Sequence, residues 1–320
     1  TFTGKGLYDL RAFQQVMAGR FPDNSVLSHD LIEGEHSGAG LVTDVEVIDD
    51  YPATYEAYSK RKHRWIRGDW QILPWLFSRV PSASGAQAPN HLSFLSRWKI
   101  ADNLRRSLFE LSLFVLLVAA WLFSPSAAER VTLAAAAMLL LPAYAEAAVS
   151  LLRLPPVRFW KSYLRERVFQ LLRAHAEALL TLVFLLHQAL LSADAIARTL
   201  IRRYITGRRL LEWESMAQSE TRPASAQGLI TSYLFVCSFC ALGLIAILLA
   251  VESHEAPAIL VAALWLISPL MAQLVNGRPF AIRRENPNDI EFLRGVSLRT
   301  WSFFRDFSTA DHHWLVPDNV

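Results

Sequence analysis

The chain has 320 residues, a formal net charge of +3 and 52% hydrophobic residues. That apolar share is high for an ordinary soluble domain and points to membrane segments, while so small a net charge gives no footing for nucleic-acid binding. Only two cysteines occur, Cys237 and Cys240, in one apolar run; this excludes a disulfide framework, and a C-x-x-C with no second pair or nearby His reads as two thiols buried in a membrane helix.

In chain order, Asp9 is a candidate N-cap for a helix over Leu10–Met17 that ends at Gly19. Val26 and Leu27 lead into a loop carrying Asp30. Leu41–Ile48 alternates as an exposed strand would, with Val45 and Val47 set against Asp44 and Glu46. Between Asp23 and Glu56 lie nine carboxylates and no Lys or Arg; then Lys60, Arg61, Lys62, Arg64 and Arg67 fall within eight residues. Residues 54–73 read as a helix placing Arg61, Arg64, Trp65 and Gly68 on one side and Ile66, Trp70 and Leu73 on the other. Pro74 predicts a kink or an end there. Val80–Asn90, rich in Pro, Ser, Ala and Gly, reads as a loop.

Four stretches are long and apolar enough to span a bilayer: Ser107–Phe123, Val131–Leu152, Leu229–Val251 and Ala256–Val275. Glu110 lies in the first, Glu146 in the second. Ala178–Leu186, bounded by Glu177 and His187, reads as too short to cross. Arginines cluster before the first span, between the second and third, and after the fourth. Four spans put every basic segment on the cytoplasmic side together with both chain ends, and residues 157–213 then lie along that surface.

Glycosyl transfer from a nucleotide sugar needs a base for the acceptor hydroxyl, positive charge for the departing diphosphate and a platform for a sugar ring. Asp30 suits the first role, Arg64 and Arg61 the second, Trp65 the third, and Gly68 would let a polymer pass close to the helix. The same residues suit plainer roles: a cap or solvated charge for Asp30, a headgroup-facing surface for the basic helix, an interface anchor for Trp65. Two other readings stay open, a polytopic transporter with a regulatory cytoplasmic part and a catalytically inactive membrane scaffold.

Asp30 followed by Arg61-Lys62-His63-Arg64-Trp65 resembles the acceptor half of membrane-bound processive β-glycosyltransferases of the GT-A fold. Their usual Thr-Glu-Asp and Gln-x-x-Arg-Trp motifs are kept here at Asp, Arg and Trp but not at Glu and Gln. The strings F-T-G-K-G-L-Y-D, F-P-D-N-S-V-L-S-H-D-L-I-E-G, H-R-W-I-R-G-D-W-Q and R-R-L-L-E-W-E resemble the glycosyltransferase portion of bacterial cyclic β-1,2-glucan synthases, and the ending Asp311–Asn319 resembles the stretch just before their glycoside-phosphorylase-like domain.

That resemblance implies transfer of glucose from UDP-glucose to a growing β-1,2-glucan at the cytoplasmic face of the bacterial inner membrane. By carry-over Asp30 is the base, Arg64 and Arg61 contact the donor diphosphate, and Trp65 and Gly68 meet the acceptor; His29 and Glu33 are candidate assistants. The family implies Mg²⁺ or Mn²⁺. No D-x-D motif occurs here, so its ligands are expected in a donor-binding half upstream of Thr1, and the isolated piece is expected to be inactive. The implied partners are UDP-glucose, the glucan acceptor, the lipid bilayer and the rest of a longer polypeptide, including a C-terminal glycoside-phosphorylase-like domain. The expected fold is mainly α and polytopic. Residues 1–79 are expected to be the acceptor-side remnant of an α/β GT-A domain. A linker and an amphipathic helix entering the membrane follow over 80–106, and two spans over 107–152. Interfacial helices take 153–228, two more spans 229–275, and a cytoplasmic segment 276–320.

Overall fold

A computed structural model describes residues 9–27, 30–43, 51–152, 155–212, 224–250, 256–276 and 287–310. The chain divides into two compact units, Thr1–Asn276 and Gly277–Val320.

The first unit opens with α1 (Leu10–Met17). Its cap is the expected one: the Asp9 carboxylate accepts from the Ala12 N–H at 2.9 Å. The chain turns away at Gly19, whose φ of +72° suits a residue without Cβ. Asp30 does not sit in a loop but is the first residue of α2 (Asp30–Ser37), where a carboxylate meets the positive end of the helix dipole. Residues 41–43 are not strand, and the rest of the strand expected over 41–48 lies outside the described residues. Helix α3 (Tyr55–Gln71) starts at Thr54, whose Oγ1 accepts from the Ala57 N–H at 3.1 Å. It stops before Pro74, which opens a 3-10 turn over Leu73–Leu76.

The segment expected as a loop over 80–90 holds a short antiparallel hairpin, β1 (Arg79–Pro81) with β2 (Gln87–Pro89). Two prolines at strand ends hid it from a composition-based reading; an isolated pair tolerates them because its outer edges donate no ladder bonds. It is the only sheet among the described residues, so those up to Ser78 are helix, turn and coil. Its Val80 packs with Ile32, Ile72, Trp75 and Leu92, and with Ile100 and Leu104 of α4 (Phe94–Ser107).

Helix α4 continues into α5 (Phe109–Phe123) through a 43° bend at Leu108. Then come α6 (Pro125–Ser150), α7 (Trp160–Ile201), α8 (Ala224–Ala250) and the pair α9 (Ala256–Leu266) and α10 (Ser268–Val275). A 54° bend at Ile267, next to Pro269, separates that pair. Among the described residues, three helices are long and apolar enough to cross a membrane, or up to five if each bent pair is one span. Leu113, Leu117, Trp121, Leu185, Cys237 and Trp265 form their shared core. Cys240, expected to be buried like Cys237, is exposed on the outer surface of α8.

The stretch 178–186 is not short. It is the centre of α7, 42 unbroken residues and about 63 Å long at 1.5 Å per residue. Glu177 does not end the run, because it pairs with Arg173 one turn earlier at 2.8 Å. His187 does not end it either, because its Nδ1 meets the Tyr55 hydroxyl of α3 at 2.8 Å. Every residue from Val183 to Ala189 is buried, so protein surrounds the helix for almost two turns.

The second unit contains α11 (Pro287–Phe307). The expected motif at Asp311–Asn319 lies outside the described residues.

Candidate functional site

Helix α3 carries the site, and its position is fixed from several sides. Ile66 is buried against Ala195 and Ile196 of α7. His63 Nε2 meets the Asp194 carboxylate at 3.0 Å, and Lys62 pairs with Glu110 at the start of α5. Tyr55 stacks on Phe184 with ring centroids 4.0 Å apart, and the Trp70 indole N–H donates to Ser107 Oγ at 2.9 Å. The acidic residues expected to be costly inside spans are thus paired: Glu110 with Lys62, and Glu146 with Arg167 at 3.7 Å.

Two buried polar side chains complete the clamp. Arg67, 6% exposed, donates to the carbonyls of Glu212 at 2.7 Å and Leu210 at 3.1 Å. Gln71, 1% exposed, accepts from the Leu27 N–H at 2.6 Å and donates to the Leu210 carbonyl at 2.9 Å. The segment just ahead of Asp30 and the loop after α7 are therefore held by one side chain. Sequence reasoning gave Gln71 no role and counted Arg67 only as a charge; their signal was the compact string from His63 to Gln71, which mixes buried and exposed polar residues on a single helix.

The remaining face of α3 stays open. Trp65 is 40% exposed. The Arg61 guanidinium lies between two rings, 4.5 Å from the Trp65 centroid and 5.6 Å from that of Tyr51, an arrangement that uses the negative ring faces. Burial, and then the neighbouring charge of Arg61, pull the Arg64 guanidinium below its ordinary range, while the nearby Asp30 carboxylate opposes them. Arg61, Arg64 and Trp65 share α3 as the sequence placed them, and Asp30, on a separate element, lies near enough for its charge to act on Arg64. Gly68 lies in the same helix but is buried. Glu33 sits in the first turn of α2, where its carbonyl accepts from Ser37 Oγ at 2.7 Å. His29 lies outside the described residues.

Asp69 is a titratable group the sequence did not single out. Asn103 donates to its carboxylate at 3.0 Å, and burial pushes its pKa up to about 6. Among the described residues no three His, Cys, Asp or Glu side chains gather as a metal site.

Beside this face a cleft of about 340 Å³ opens where α3 meets the spans. Tyr51, Tyr58, Lys62, Glu110, Thr181 and Gln188 are among its lining residues. Glu110 Oε2 and Gln188 Oε1 are buried there without a hydrogen-bond partner. Aromatic faces beside unused acceptors suit a ligand that offers both C–H surface and hydroxyl donors.

No family model matches the chain. Over 330 aligned positions, covering the whole chain, it is 34% identical to the cyclic β-(1,2)-glucan synthase NdvB of Rhizobium meliloti (strain 1021). It spans 11% of that protein's length. The chain is thus similar from end to end to one segment of a cyclic β-(1,2)-glucan synthase, the family that its sequence motifs resemble.

Proposed function

We propose that the chain is the acceptor-side and membrane part of a glycosyltransferase that moves glucose from UDP-glucose onto a growing β-1,2-glucan at the cytoplasmic face of the inner membrane. The observation that carries this reading is the open face of α3, where the Arg61 guanidinium lies 4.5 Å from the exposed Trp65 ring, with Arg64 on the same helix and the Asp30 charge acting on it. The similarity to a glucan synthase supports it.

In the proposed step the acceptor 2-hydroxyl attacks C1 of the donor glucose. The C1–oxygen bond to UDP breaks, and Asp30 takes the hydroxyl proton. Arg64, with Arg61 behind it, balances the charge that collects on the leaving diphosphate. Trp65 presents a flat exposed ring for the acceptor sugar. From there the glucan would pass Arg61 and Tyr51 into the tyrosine-lined cleft. The Mg²⁺ or Mn²⁺ that the family implies would have its ligands outside the described residues.

A transporter would use broken helices to bind its cargo, and the bend at Ile267 is such a break. There Ser268 Oγ donates to the Trp265 carbonyl at 2.8 Å, within its own turn, and at the other bend, by Leu108, Glu110 is already paired with Lys62 of α3. The transferase reading is therefore preferred.

The test uses the full-length parent protein in membranes with labelled UDP-glucose. Asp30→Asn is expected to lower polymer synthesis by about 10²- to 10⁴-fold, the usual worth of a positioned base. Trp65→Ala should abolish elongation while donor hydrolysis continues. Unchanged synthesis in Asp30→Asn removes Asp30 from the role of base.

A further inference from the structure

We infer that α11 is a monotopic membrane helix, lying flat on the bilayer with one face among the lipid chains. At about 100° per residue, Phe292, Leu293, Val296, Trp301, Phe303 and Phe304 share one side of it. All six are exposed, from Phe303 at 36% to Phe292 at 69%. Glu291, Arg294, Arg299, Arg305 and Asp306 take the other side, together with Leu298; of the charged residues only Asp289, in the first turn, falls on the apolar side. A helix of this length could in principle cross a bilayer, but six charged residues among its twenty-one forbid it. A continuous aromatic and aliphatic face opposite arginines is the pattern of a helix in the interfacial plane, with its apolar side below the headgroups and guanidinium groups among the phosphates.

Covalent reach identifies the occupant. Helix α10 is the second half of a candidate span and ends at Val275. Ten residues, 277–286, separate Asn276 from the first residue of α11. Fully extended they reach about 36 Å, so α11 cannot leave the neighbourhood of the bilayer surface. Three of the ten are arginines, Arg278, Arg283 and Arg284, and a basic segment next to a span is drawn to anionic lipid. A soluble protein partner would have to compete with a lipid surface that is always within reach.

The experiment uses the full chain reconstituted in vesicles containing phosphatidylglycerol. Cys240 is replaced by Ala and the buried Cys237 is kept. A nitroxide is placed singly at Phe292→Cys or Phe304→Cys on the apolar side, and at Glu291→Cys or Ser302→Cys on the polar side. Collision rates with oxygen, which concentrates in lipid, and with a water-soluble nickel chelate are then measured. The oxygen-to-nickel ratio should be several-fold higher at the two apolar positions and should alternate with the helical period. Equal access of nickel to both sides overturns the inference. So does shielding of the apolar positions from both reagents, the signature of a protein cover such as a second copy or another part of a longer chain. Glu291, Phe292 and Phe304 are exposed and Ser302 is half-buried, so folding of each labelled chain is checked by an unchanged elution profile in detergent.

Discussion

At the scale of single residues, two groups on α3 respond to pH in opposite senses. Burial lowers the His63 pKa below 6.5, although Asp194 opposes the shift. Its contribution is therefore complete above about 6.5 and is lost as pH falls through the lower folded value. Asp69 behaves the other way: with a folded pKa of about 6 against 3.8, the folded state is favoured below 3.8 and penalised as pH rises to 6. The penalty at neutral pH is at most about 3 kcal/mol, since each unit is worth about 1.4 kcal/mol. Asp69→Asn keeps an acceptor for Asn103 and should raise the unfolding temperature at pH 7.5 while changing little at pH 4. His63→Gln should flatten the loss of stability between pH 6.5 and 5. Thermal scans of both variants over pH 4–8 check the two signs. Neither effect was legible in the sequence, because each depends on burial by segments far along the chain. The Asp9 cap, by contrast, was legible in full, since Asp9 and Ala12 are three residues apart. The proximity of Asp30 to Arg64 lies between these cases: a resemblance suggested it, but no local pattern required it.

At the scale of elements, α7 is where sequence reasoning and structure diverge most. An apolar stretch flanked by Glu177 and His187 reads as nine residues because both flanks look like exits to water. Each flank instead has a partner, one within the helix and one on α3, and only the fold supplies the second. The hairpin over 79–89 was missed for a related reason, its strands being three residues each and bounded by proline. Helix α3 was read nearly to the residue, since its opposed faces have helical spacing. Because α7 is buried on all sides over Val183–Ala189, Ala189→Pro should cost at least about 3 kcal/mol from the lost backbone bond and ring clash. It should also loosen Tyr55 and the cleft. Leu185→Ala, at a site with no exposure, should cost about 2–5 kcal/mol. Both are measured as lowered unfolding temperatures in detergent.

For the whole molecule, the packing of α7 bears on how the chain crosses the membrane. By composition α7 could span, yet 61% of its most apolar window is buried in protein, against 11% for α6 and 22% for α8. Its half from Phe184 to Ile196 runs beside α3, which carries Lys60, Arg61, Lys62, Arg64 and Arg67. Those charges cannot lie in a hydrocarbon layer. The apolarity of this half therefore serves packing between α3 and the spans. We expect four crossings with α7 on the cytoplasmic side. A cysteine at Ser126 should then react with an impermeant reagent from outside intact cells, and one at Arg165 only after permeabilisation. Labelling of both from outside would refute that topology.

The double grip of Gln71 also sets a timetable for synthesis. Its amide holds Leu27, 44 residues earlier, and Leu210, 139 residues later. A ribosome adding roughly 5–20 residues per second needs on the order of 7–30 s to travel from Gln71 to Leu210. For that interval α3 is complete but its clamp is not, since the Gln71 amide N–H still lacks the Leu210 carbonyl to which it donates. The charge cluster can therefore reach its final form only after the helices between have been produced, so the nascent chain approaches the membrane before it holds a finished site.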